Sequence, residues 1–396
     1  MRILAVTHQF PTVYQPTFAP YNRQQWSELA RSHDVHIVRA VPWTIAWQQR
    51  RSGMWQGAGP MPSAVGSPAI SVSYPRFYFP PKWGSHLYGH WFEWSTRAVV
   101  AREVATWRPD VLLTSWAHPD GWATAKLAKR FGLPVVLKVL GSDVLVQATG
   151  KRRAYVSESV KAMTAVAAVS ADLARHVVEL GADPARVHVV PEGLSFEEFS
   201  PGDQQAARAQ LGITGQEPMI LFVGSVIAAK GVFDLVDACA RLRDRQVRFQ
   251  CCIVGKGGDL ERVRQTIETL GLGRHVTCAG LRPHAELAQW FRASDVVALP
   301  SYTEGIPNVL REAIACGRPF VSTRVGGIPE IADPSLSRLT NAGDVDGLAA
   351  HLESILNDPL DVDSGVVRRI NISWQESARR LERLLLDAVA SRTQSL

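Results

Sequence analysis

Short apolar runs alternate with longer segments whose apolar residues recur every three or four positions along most of the chain. In the first half, buried β-strands are predicted at residues 2–7, 35–40, 110–116 and 134–144. In the second half, the apolar runs are PMILFVG, QCCIVG, HVTCAG and DVVALP, which begin at residues 218, 250, 275 and 295. Segments whose apolar residues have helical spacing connect the runs, for example residues 21–32 and 232–242. Strands that alternate with helices predict parallel α/β sheets in both halves.

The size and composition indicate a globular protein with two domains. A chain of 396 residues is too long for a domain with a single hydrophobic core, and it suits two domains of roughly 150–200 residues each. Hydrophobic residues make up 46% of the chain and charged residues 20%, as in soluble proteins. The longest nearly apolar stretch, 162–171, is too short to span a bilayer. MRILAVTHQF predicts a first buried strand rather than a signal peptide.

The cysteines and the charge narrow the classes of partner. All five cysteines lie in the second half without a C-x-x-C pair, which favours small core residues in a reducing cytoplasm. A net charge of +6 suits an anionic partner, either a phosphorylated substrate or a membrane leaflet. Basic residues are scattered in small groups such as 50–51 and 151–153, with no nucleic-acid-binding motif. We therefore expect no nucleic-acid partner, and ordinary solvated arginines remain an alternative explanation of the charge.

The segment from Pro42 to Trp94 has a different composition. Prolines, glycines and tyrosines are interleaved there with Trp43, Trp47, Trp55, Trp83, Trp91 and Trp94. The segment shows little periodicity and predicts a long irregular excursion. Its aromatic rings lie near Arg50, Arg51, Arg76 and Lys82, which suits a sugar-stacking acceptor site or a surface that enters lipid headgroups. A self-packed layer of loops is an equally good interpretation.

Two glutamates in the second half predict a ligand site. The strand DVVALP runs into a loop that carries Glu304, and Glu312 lies in a helix predicted from Pro307 to Cys316. The free amides of the first helical turn and the positive end of the helix dipole suit an anion such as a diphosphate. A carboxylate accepts two hydrogen bonds, which suits the vicinal hydroxyls of a sugar. The pattern predicts a nucleotide-sugar pocket, with two solvated glutamates as the alternative.

The stretch from Ser301 to Glu330 resembles the E-x7-E motif of the retaining glycosyltransferases of family 4. The match comprises S-x-x-E-G-x-P-N-x-x-x-E and the following G-G-I-P-E, and the chain is similar to bacterial polysaccharide-assembly members. The resemblance implies the GT-B fold, in which two doubly wound Rossmann-like α/β domains face a central cleft. We expect an acceptor-side domain over residues 1–198, a nucleotide-sugar-binding domain over 199–372, and a helix over 373–396 that crosses back to the first domain.

The resemblance also implies which residues meet the donor. Glu304 would contact the hydroxyls of the donor sugar, and Glu312 would hold the ribose. Lys230 would meet the diphosphate as it gains negative charge. The remaining donor-binding positions are Gly224, Ser225, Gly255, Gly257, Arg282, Gly305, Ile306, Pro307 and Asn308. We expect no metal and no other cofactor, because a lysine and a helix terminus supply the positive potential and no Asp-x-Asp pair lies beside the motif.

The chain departs from the family pattern at several positions. Leu140 stands where many members have His or Arg before Gly-Ser-Asp, and Ser225 stands where an arginine is frequent. His118 on another strand-end loop could supply the missing imidazole. Asp143 is the better polar candidate, with an N-cap or turn role as its alternative. The candidate catalytic residues are therefore Glu304, Lys230, Asp143 and His118. The first loop, which faces the acceptor in the family, carries Pro11, Tyr14, Pro16 and Phe18 in place of the usual glycines.

These observations predict a cytoplasmic glycosyltransferase that moves a sugar from a nucleotide donor to a hydroxyl of a glycan or lipid-linked acceptor. Retention of configuration is implied by the family alone. Bacterial cell-envelope polysaccharide synthesis, with peripheral attachment to the anionic inner face of the membrane, is the hypothesis for the setting. The alternatives are a nucleotide-sugar epimerase of the same fold, a phosphorylase, which would need a longer chain, and a non-catalytic nucleotide-sugar-binding partner.

Overall fold

The computed structural model describes residues 1–12, 15, 18–44, 70–81 and 84–393. Its contacts divide the chain into two compact units. Unit 1 comprises Met1–Gly193 and Trp374–Leu396, and unit 2 comprises Leu194–Ser373. The chain therefore leaves unit 1 once and returns to it for its last helix. None of the helices in the described ranges combines the length and the apolar composition that a bilayer crossing requires.

Unit 1 is built on a parallel sheet of seven strands. The strands of unit 1 are β1 (Arg2–Thr7), β2 (Asp34–Arg39), β3 (Val41–Pro42), β4 (Ser71–Ser73), β5 (Arg76–Phe77), β6 (Val111–Ser115), β7 (Val135–Val139), β8 (Ala165–Ala168) and β9 (Val187–Val189). The order in the large sheet is β4-β2-β1-β6-β7-β8-β9, and β3 pairs separately with β5. Strands β6, β7 and β8 are buried along their whole length, because helices cover both faces of the sheet.

The helices of unit 1 follow the apolar periodicity in most places. They are α1 (Pro20–Leu29), α2 (Tyr88–Thr106), α3 (Trp122–Phe131), α4 (Ser142–Leu145), α5 (Gly150–Ala162) and α6 (Ala171–Glu179). Ser170 caps α6 by accepting the Leu173 N–H at 3.0 Å. The predicted irregular excursion is corrected in part, since β4, β5 and the start of α2 lie within it. The helix α2 was not predicted, because its apolar residues do not recur along one face.

The last helix of the chain packs on unit 1. Two-residue strands, β10 (Gly193–Leu194) and β17 (Ile372–Ser373), flank the excursion of the chain into unit 2, and the final helix runs over Trp374–Thr393. Its Leu381 and Leu385 are fully buried in the core on one face of the sheet, with Ile3 and Ala5 of β1. The Ser377 hydroxyl accepts a hydrogen bond from the Gln25 side chain at 2.7 Å and donates to the Pro191 carbonyl at 2.6 Å.

Unit 2 contains a second parallel sheet, of six strands. Its strands are β11 (Met219–Val223), β12 (Gln250–Val254), β13 (Val276–Gly280), β14 (Val296–Leu299), β15 (Phe320–Thr323) and β16 (Ser337–Thr340). Its helices are α7 (Gln204–Gln210), α8 (Val232–Asp244), α9 (Leu260–Thr269), α10 (His284–Ala293), α11 (Asn308–Ala315), α12 (Val345–Asn357) and α13 (Ser364–Ile370), so the final helix of the chain is α14. The strand order is β13-β12-β11-β14-β15-β16. The strands and helices predicted in this half are present, apart from a small correction to the start of α11.

Each sheet has one position where the strand order reverses direction. In unit 1, β1 lies between β2 and β6, and in unit 2, β11 lies between β12 and β14. Loops that leave neighbouring strands in opposite directions open a crevice at the carboxyl ends of those strands, and ligands of doubly wound proteins bind there. The topology therefore points to the loops after β1 and β6 in unit 1 and after β11 and β14 in unit 2.

Candidate functional site

Two loops meet at the reversal point of unit 2. The loop after β11 carries Lys230 at the end of a short 3-10 turn, Ala228–Lys230. The loop after β14 carries Ser301 and Glu304. The Tyr302 N–H donates to the Ala229 carbonyl at 3.0 Å, so the two loops are joined through their backbones. The strand order thus brings together residues that lie far apart in the sequence.

Two glycines allow these loops to approach so closely. Gly231 has a φ of +68°, and a Cβ added to it would lie 1.8 Å from the Pro300 carbonyl oxygen. Gly326 has a φ of +54°, and a Cβ added there would lie 1.8 Å from the carbonyl oxygen of Glu304. Any side chain at either position would push the loop that carries Lys230 or Glu304 away from its neighbour.

An ion pair occupies the centre of this arrangement. The Lys230 Nζ lies 2.6 Å from the Glu304 Oε1, which also accepts the Ser301 hydroxyl at 2.7 Å. The Glu304 side chain is 8% exposed and that of Lys230 28%, so the ammonium keeps an open side. The structure thus brings together the cation and the carboxylate that were predicted to meet a phosphate and sugar hydroxyls, and those roles stay predictions.

The helix α11 begins beside this pair. It runs from Asn308 to Ala315, and Pro307 is its N-cap with φ −75° and ψ 115°. The predicted start at Pro307, inside the first turn, is therefore corrected by one residue, because Pro307 keeps the extended backbone of a cap. Gly305 is held by the Gly327 N–H, which donates to its carbonyl at 2.7 Å, and Ile306 packs against the unit 2 core. The N-terminal amides of the helix lie where the resemblance expects an anion.

Glu312 projects from α11 toward a histidine that the sequence analysis missed. The Glu312 Oε1 lies 3.5 Å from the His284 Nε2, and the His284 Nδ1 lies 3.1 Å from the Glu198 Oε1. Hydrogen bonds to Glu198 and to Glu312 raise the pKa of His284 to about 10. An imidazolium therefore holds the Glu312 carboxylate in place. The signal was present in the sequence, since His284 begins α10 directly after the predicted Arg282-Pro283 loop.

The remaining predicted donor positions lie in loops at the ends of strands, and backbone hydrogen bonds join these loops to one another. Gly224 N–H donates to the Val254 carbonyl at 3.0 Å, and Gly255 N–H donates to the Gly280 carbonyl at 2.9 Å. A Cβ on Gly257 would lie 2.1 Å from the Val226 carbonyl oxygen. The Ser225 carbonyl accepts the Ile227 N–H, and the Arg282 guanidinium stacks over the Trp290 ring. Backbone groups of the loops after β11, β12 and β13 thus lie side by side.

In unit 1, Asp143 joins two loops. Its Oδ2 accepts the Ala117 N–H at 3.0 Å, and its Oδ1 accepts the N–H groups of Leu140 at 3.1 Å and of Gly141 at 3.0 Å. The side chain is fully buried, and this burial raises the pKa of Asp143 against the opposing effect of the amides. The geometry therefore favours the turn role over a catalytic one, and Gly141 rather than Asp143 is the N-cap of α4. Asp143 fixes the loops after β6 and β7 to each other.

His118 lies in the interior of unit 1. It is 2% exposed, and its ring packs 5.6 Å from that of Tyr155. Burial, and next the charge of Arg152, lower the pKa of His118 to about 4. The imidazole is neutral and enclosed, so the structure favours a packing role over the predicted role beside the transferred sugar.

A second histidine in unit 1, which the sequence analysis also missed, is paired with a buried carboxylate. The His8 Nδ1 lies 2.6 Å from the Asp120 Oδ1. The Asp120 Oδ2 accepts the His8 N–H at 2.6 Å and the Thr7 hydroxyl at 2.7 Å. His8 follows β1 and Asp120 lies in the turn after β6, so the pair lies at the reversal point of unit 1. The signal was a polar residue in the loop after each of two predicted strands.

Part of the predicted acceptor region falls outside the described residues. This applies to Tyr14, Pro16, Trp47, Arg50, Arg51, Trp55, Lys82 and Trp83. Among the described residues, Arg39 stacks over the Phe18 ring, and the Trp43 indole donates to the Phe79 carbonyl at 2.8 Å. Tyr78, Trp91 and Trp94 expose two-fifths or more of their side chains. Within the described ranges, no three His, Cys, Asp or Glu side chains form a group that could hold a metal ion.

Family models match both halves of the chain. The model described as glycosyl transferase 4-like domain matches residues 18–193, and the model described as glycosyl transferases group 1 matches residues 203–370. A D-inositol 3-phosphate glycosyltransferase of Segniliparus rotundus is 35% identical over 206 residues, which make up 50% of this chain and 46% of that protein. The chain spans about half the length of the curated relatives it matches.

Solved structures resemble nearly the whole chain. Sucrose-phosphate synthase from Thermosynechococcus elongatus has a TM-score of 0.81 and 21% identity, over 99% of this chain and 100% of that chain. Anabaena HepE in complex with UDP and glucose has a TM-score of 0.71 and 19% identity, over 97% of this chain and 99% of that chain. At these identities the likeness shows the fold alone, and the predicted GT-B fold with two Rossmann-like sheets is confirmed.

Proposed function

The chain belongs to the glycosyltransferases of the family-4 type, and we propose that it moves a sugar from a nucleotide-sugar donor to a hydroxyl group of an acceptor. The observation that carries the proposal is the Lys230–Glu304 pair, 2.6 Å apart at the reversal point of unit 2 and beside the start of α11. A cation, a carboxylate and the N-terminal amides of a helix are groups that can bind a sugar diphosphate.

The chemistry assigns a task to each group. Breaking the glycosyl–phosphate bond leaves a positively charged sugar and a diphosphate anion that gains charge. Lys230 and the first amides of α11 stabilise that anion, and Glu304 holds sugar hydroxyls. Glu312, oriented by His284, holds the ribose. These groups supply the positive potential from the protein alone, so the proposal includes no metal. Retention of configuration is carried over from the family, and NMR of the product anomer tests it.

The acceptor is proposed to be a glycan or a lipid-linked glycan of the bacterial cell envelope. A net charge of +6 and the exposed aromatic side chains of Tyr78, Trp91 and Trp94 support a cytoplasmic enzyme that attaches to the anionic inner face of the membrane. Binding to vesicles with anionic lipids should then weaken as salt rises. The relatives favour a second candidate acceptor, a small polyol phosphate, because they are D-inositol 3-phosphate glycosyltransferases.

The first experiment is a thermal-shift screen with UDP-, GDP- and ADP-sugars, with EDTA and then with Mg²⁺. A ligand that binds only the folded state raises the melting temperature, so one nucleotide series should give a shift in EDTA. Glu312→Ala should lose that shift, whereas Glu268→Ala, an exposed glutamate on α9, should keep it. Glu304→Gln and Lys230→Met should lower turnover at least ~100-fold while the chain stays folded.

The outcomes separate the competing functions. Conversion of the donor to an epimer without an acceptor would identify an epimerase. A donor shift without turnover on any acceptor would identify a non-catalytic nucleotide-sugar-binding partner. Wild-type turnover in both Glu304→Gln and Lys230→Met would refute the site assignment, and a shift that requires Mg²⁺ would refute metal independence.

A further inference from the structure

We propose that Asp259 is a positioning residue that holds Lys230 in place for the donor diphosphate. The inference rests on the proposed function and deepens it, because Lys230 is the cation assigned there to the leaving group. The Asp259 Oδ2 accepts the Ala228 N–H at 2.8 Å. Ala228 begins the 3-10 turn that ends at Lys230, so this hydrogen bond joins Asp259 to the turn that carries the cation.

The turn that carries Lys230 depends on support from its neighbours. It comprises three residues, Ala228–Lys230, and the first amides of a helical turn have no carbonyl partner within the turn. The loop after β14 holds the turn on one side, where the Tyr302 N–H donates to the Ala229 carbonyl. Because β11 lies between β12 and β14, the loop after β12 flanks the turn on the other side, and Asp259 comes from that loop.

Asp259 stands at the start of α9 but does not cap that helix. It is the N-cap residue of α9, yet its carboxylate bonds no amide of this helix, all of whose residues are described. The aspartates at the starts of three other helices in unit 2, Asp203, Asp344 and Asp363, each accept an amide of their own helix. Asp259 therefore forgoes the stabilisation that a capping aspartate gives its helix and bonds the Lys230 turn instead.

The backbone fixes Asp259 against the loop after β11. The Val226 N–H donates to the Lys256 carbonyl at 3.0 Å, and the Asp259 N–H donates to the Val226 carbonyl at 3.2 Å. A Cβ added to Gly257 would lie 2.1 Å from the same Val226 oxygen, so the glycine is what lets the two loops meet. The carboxylate is thus held at the turn by main-chain contacts on both sides of it.

An arginine balances the charge of Asp259. A free carboxylate near a diphosphate site would repel the ligand, but the Asp259 Oδ1 lies 2.8 Å from an Arg262 nitrogen. The Arg262 guanidinium also stacks over the Phe233 ring at 5.0 Å. The Ala228 N–H, and next the Arg262 side chain, lower the pKa of Asp259, so the carboxylate is ionised and paired at neutral pH. The turn therefore uses the oxygen of Asp259 as an acceptor, and its charge is taken up by Arg262.

The test measures the binding of UDP, GDP and ADP to the full chain by isothermal titration calorimetry. Asp259→Ala removes the acceptor and should weaken the binding of the diphosphate that the wild type prefers by ~10-fold. Its melting temperature without ligand should match the wild type, because the carboxylate caps no amide of its own helix. Asp259→Asn keeps an oxygen for the Ala228 N–H and should bind within ~3-fold of the wild type.

A double-mutant cycle shows whether Asp259 acts through Lys230. Lys230→Met lacks the cation, so adding Asp259→Ala to it should weaken binding by less than ~2-fold further. Asp203→Ala is the matched control, because Asp203 accepts the Ala206 N–H of α7 at 2.7 Å. This variant should lower the melting temperature and keep wild-type binding of the diphosphate.

Wild-type binding in Asp259→Ala would overturn the proposal. Equal losses in Asp259→Ala and Asp259→Asn would also overturn it, since they would assign the effect to the charge. Losses in Asp259→Ala and Lys230→Met that add in the double variant would show that Asp259 does not act through the lysine. If Lys230→Met keeps wild-type binding and turnover, or the wild type binds none of the three diphosphates, the proposed function itself is refuted together with this inference.

Discussion

The pairing of His284 with two glutamates makes unit 2 sensitive to alkaline pH. The pKa of about 10 in the folded chain, against the ordinary value of 6.5, means that folding favours the imidazolium. At ~1.4 kcal/mol per unit of pKa shift, the largest contribution of His284 to the free energy of unfolding is ~5 kcal/mol. The side chain is 43% exposed, so solvent screening reduces the expected contribution to ~1–2 kcal/mol. The raised folded-state pKa fixes the sign. The stabilisation is complete below pH 6.5 and is lost as the pH rises through about 10.

The assay compares the wild type with His284→Gln, which keeps a polar side chain but removes the charge. Urea unfolding at pH 6 and pH 10 should show a loss of ~1–2 kcal/mol in the wild type beyond any loss in the variant. Other groups that titrate in this range, such as lysines and tyrosines, cancel in the comparison. NMR of the histidine ring protons provides a direct measurement. The resonance that is missing in His284→Gln belongs to His284, and in the wild type it should show no titration between pH 6 and 8.

Two results would refute this reasoning about His284. One is a resonance that titrates near pH 6.5, as an isolated histidine does. The other is an equal pH effect in the wild type and in His284→Gln. His188→Gln, an exposed histidine in unit 1, is the control and should match the wild type at both pH values. If His284 does hold Glu312, the variant should also weaken donor binding in the thermal-shift screen.

Two further predictions concern buried groups and close backbone contacts. Lys138 is fully buried with its Nζ 2.7 Å from Glu192, so Lys138→Met should lower the free energy of unfolding by ~3–5 kcal/mol, and adding Glu192→Gln should recover part of it in urea unfolding. Full stability in Lys138→Met would contradict this. Gly231→Ala should separate the Lys230 loop from Pro300 and lower turnover more than ~10-fold, whereas Gly273→Ala, with open space around it, should be neutral in the same assay.

The geometry of the candidate donor site could be predicted from the sequence because its main elements are adjacent along the chain. The strand β14, the loop with Glu304 and the helix α11 follow one another within about twenty residues, and local periodicity with Pro307 and Gly317 marks their limits. Lys230 was predicted as a site residue from its position after an apolar run and from the family resemblance. The contact itself, between residues 74 positions apart, depends on β11 and β14 being neighbours.

The histidine sites could not be predicted because they depend on strand order and burial. His8 and Asp120 are 112 residues apart, and the hydrophobic pattern of the sequence does not show that β1 and β6 are neighbours. His118 and Asp143 show the converse. Both were candidates because they lie at or just after the ends of predicted strands, but the His118 ring is enclosed by packing and the Asp143 carboxylate accepts hydrogen bonds from three amides. A residue at the end of a strand lies at the carboxyl-terminal edge of the sheet, where ligands bind. The surrounding contacts then decide whether its side chain can contact a ligand.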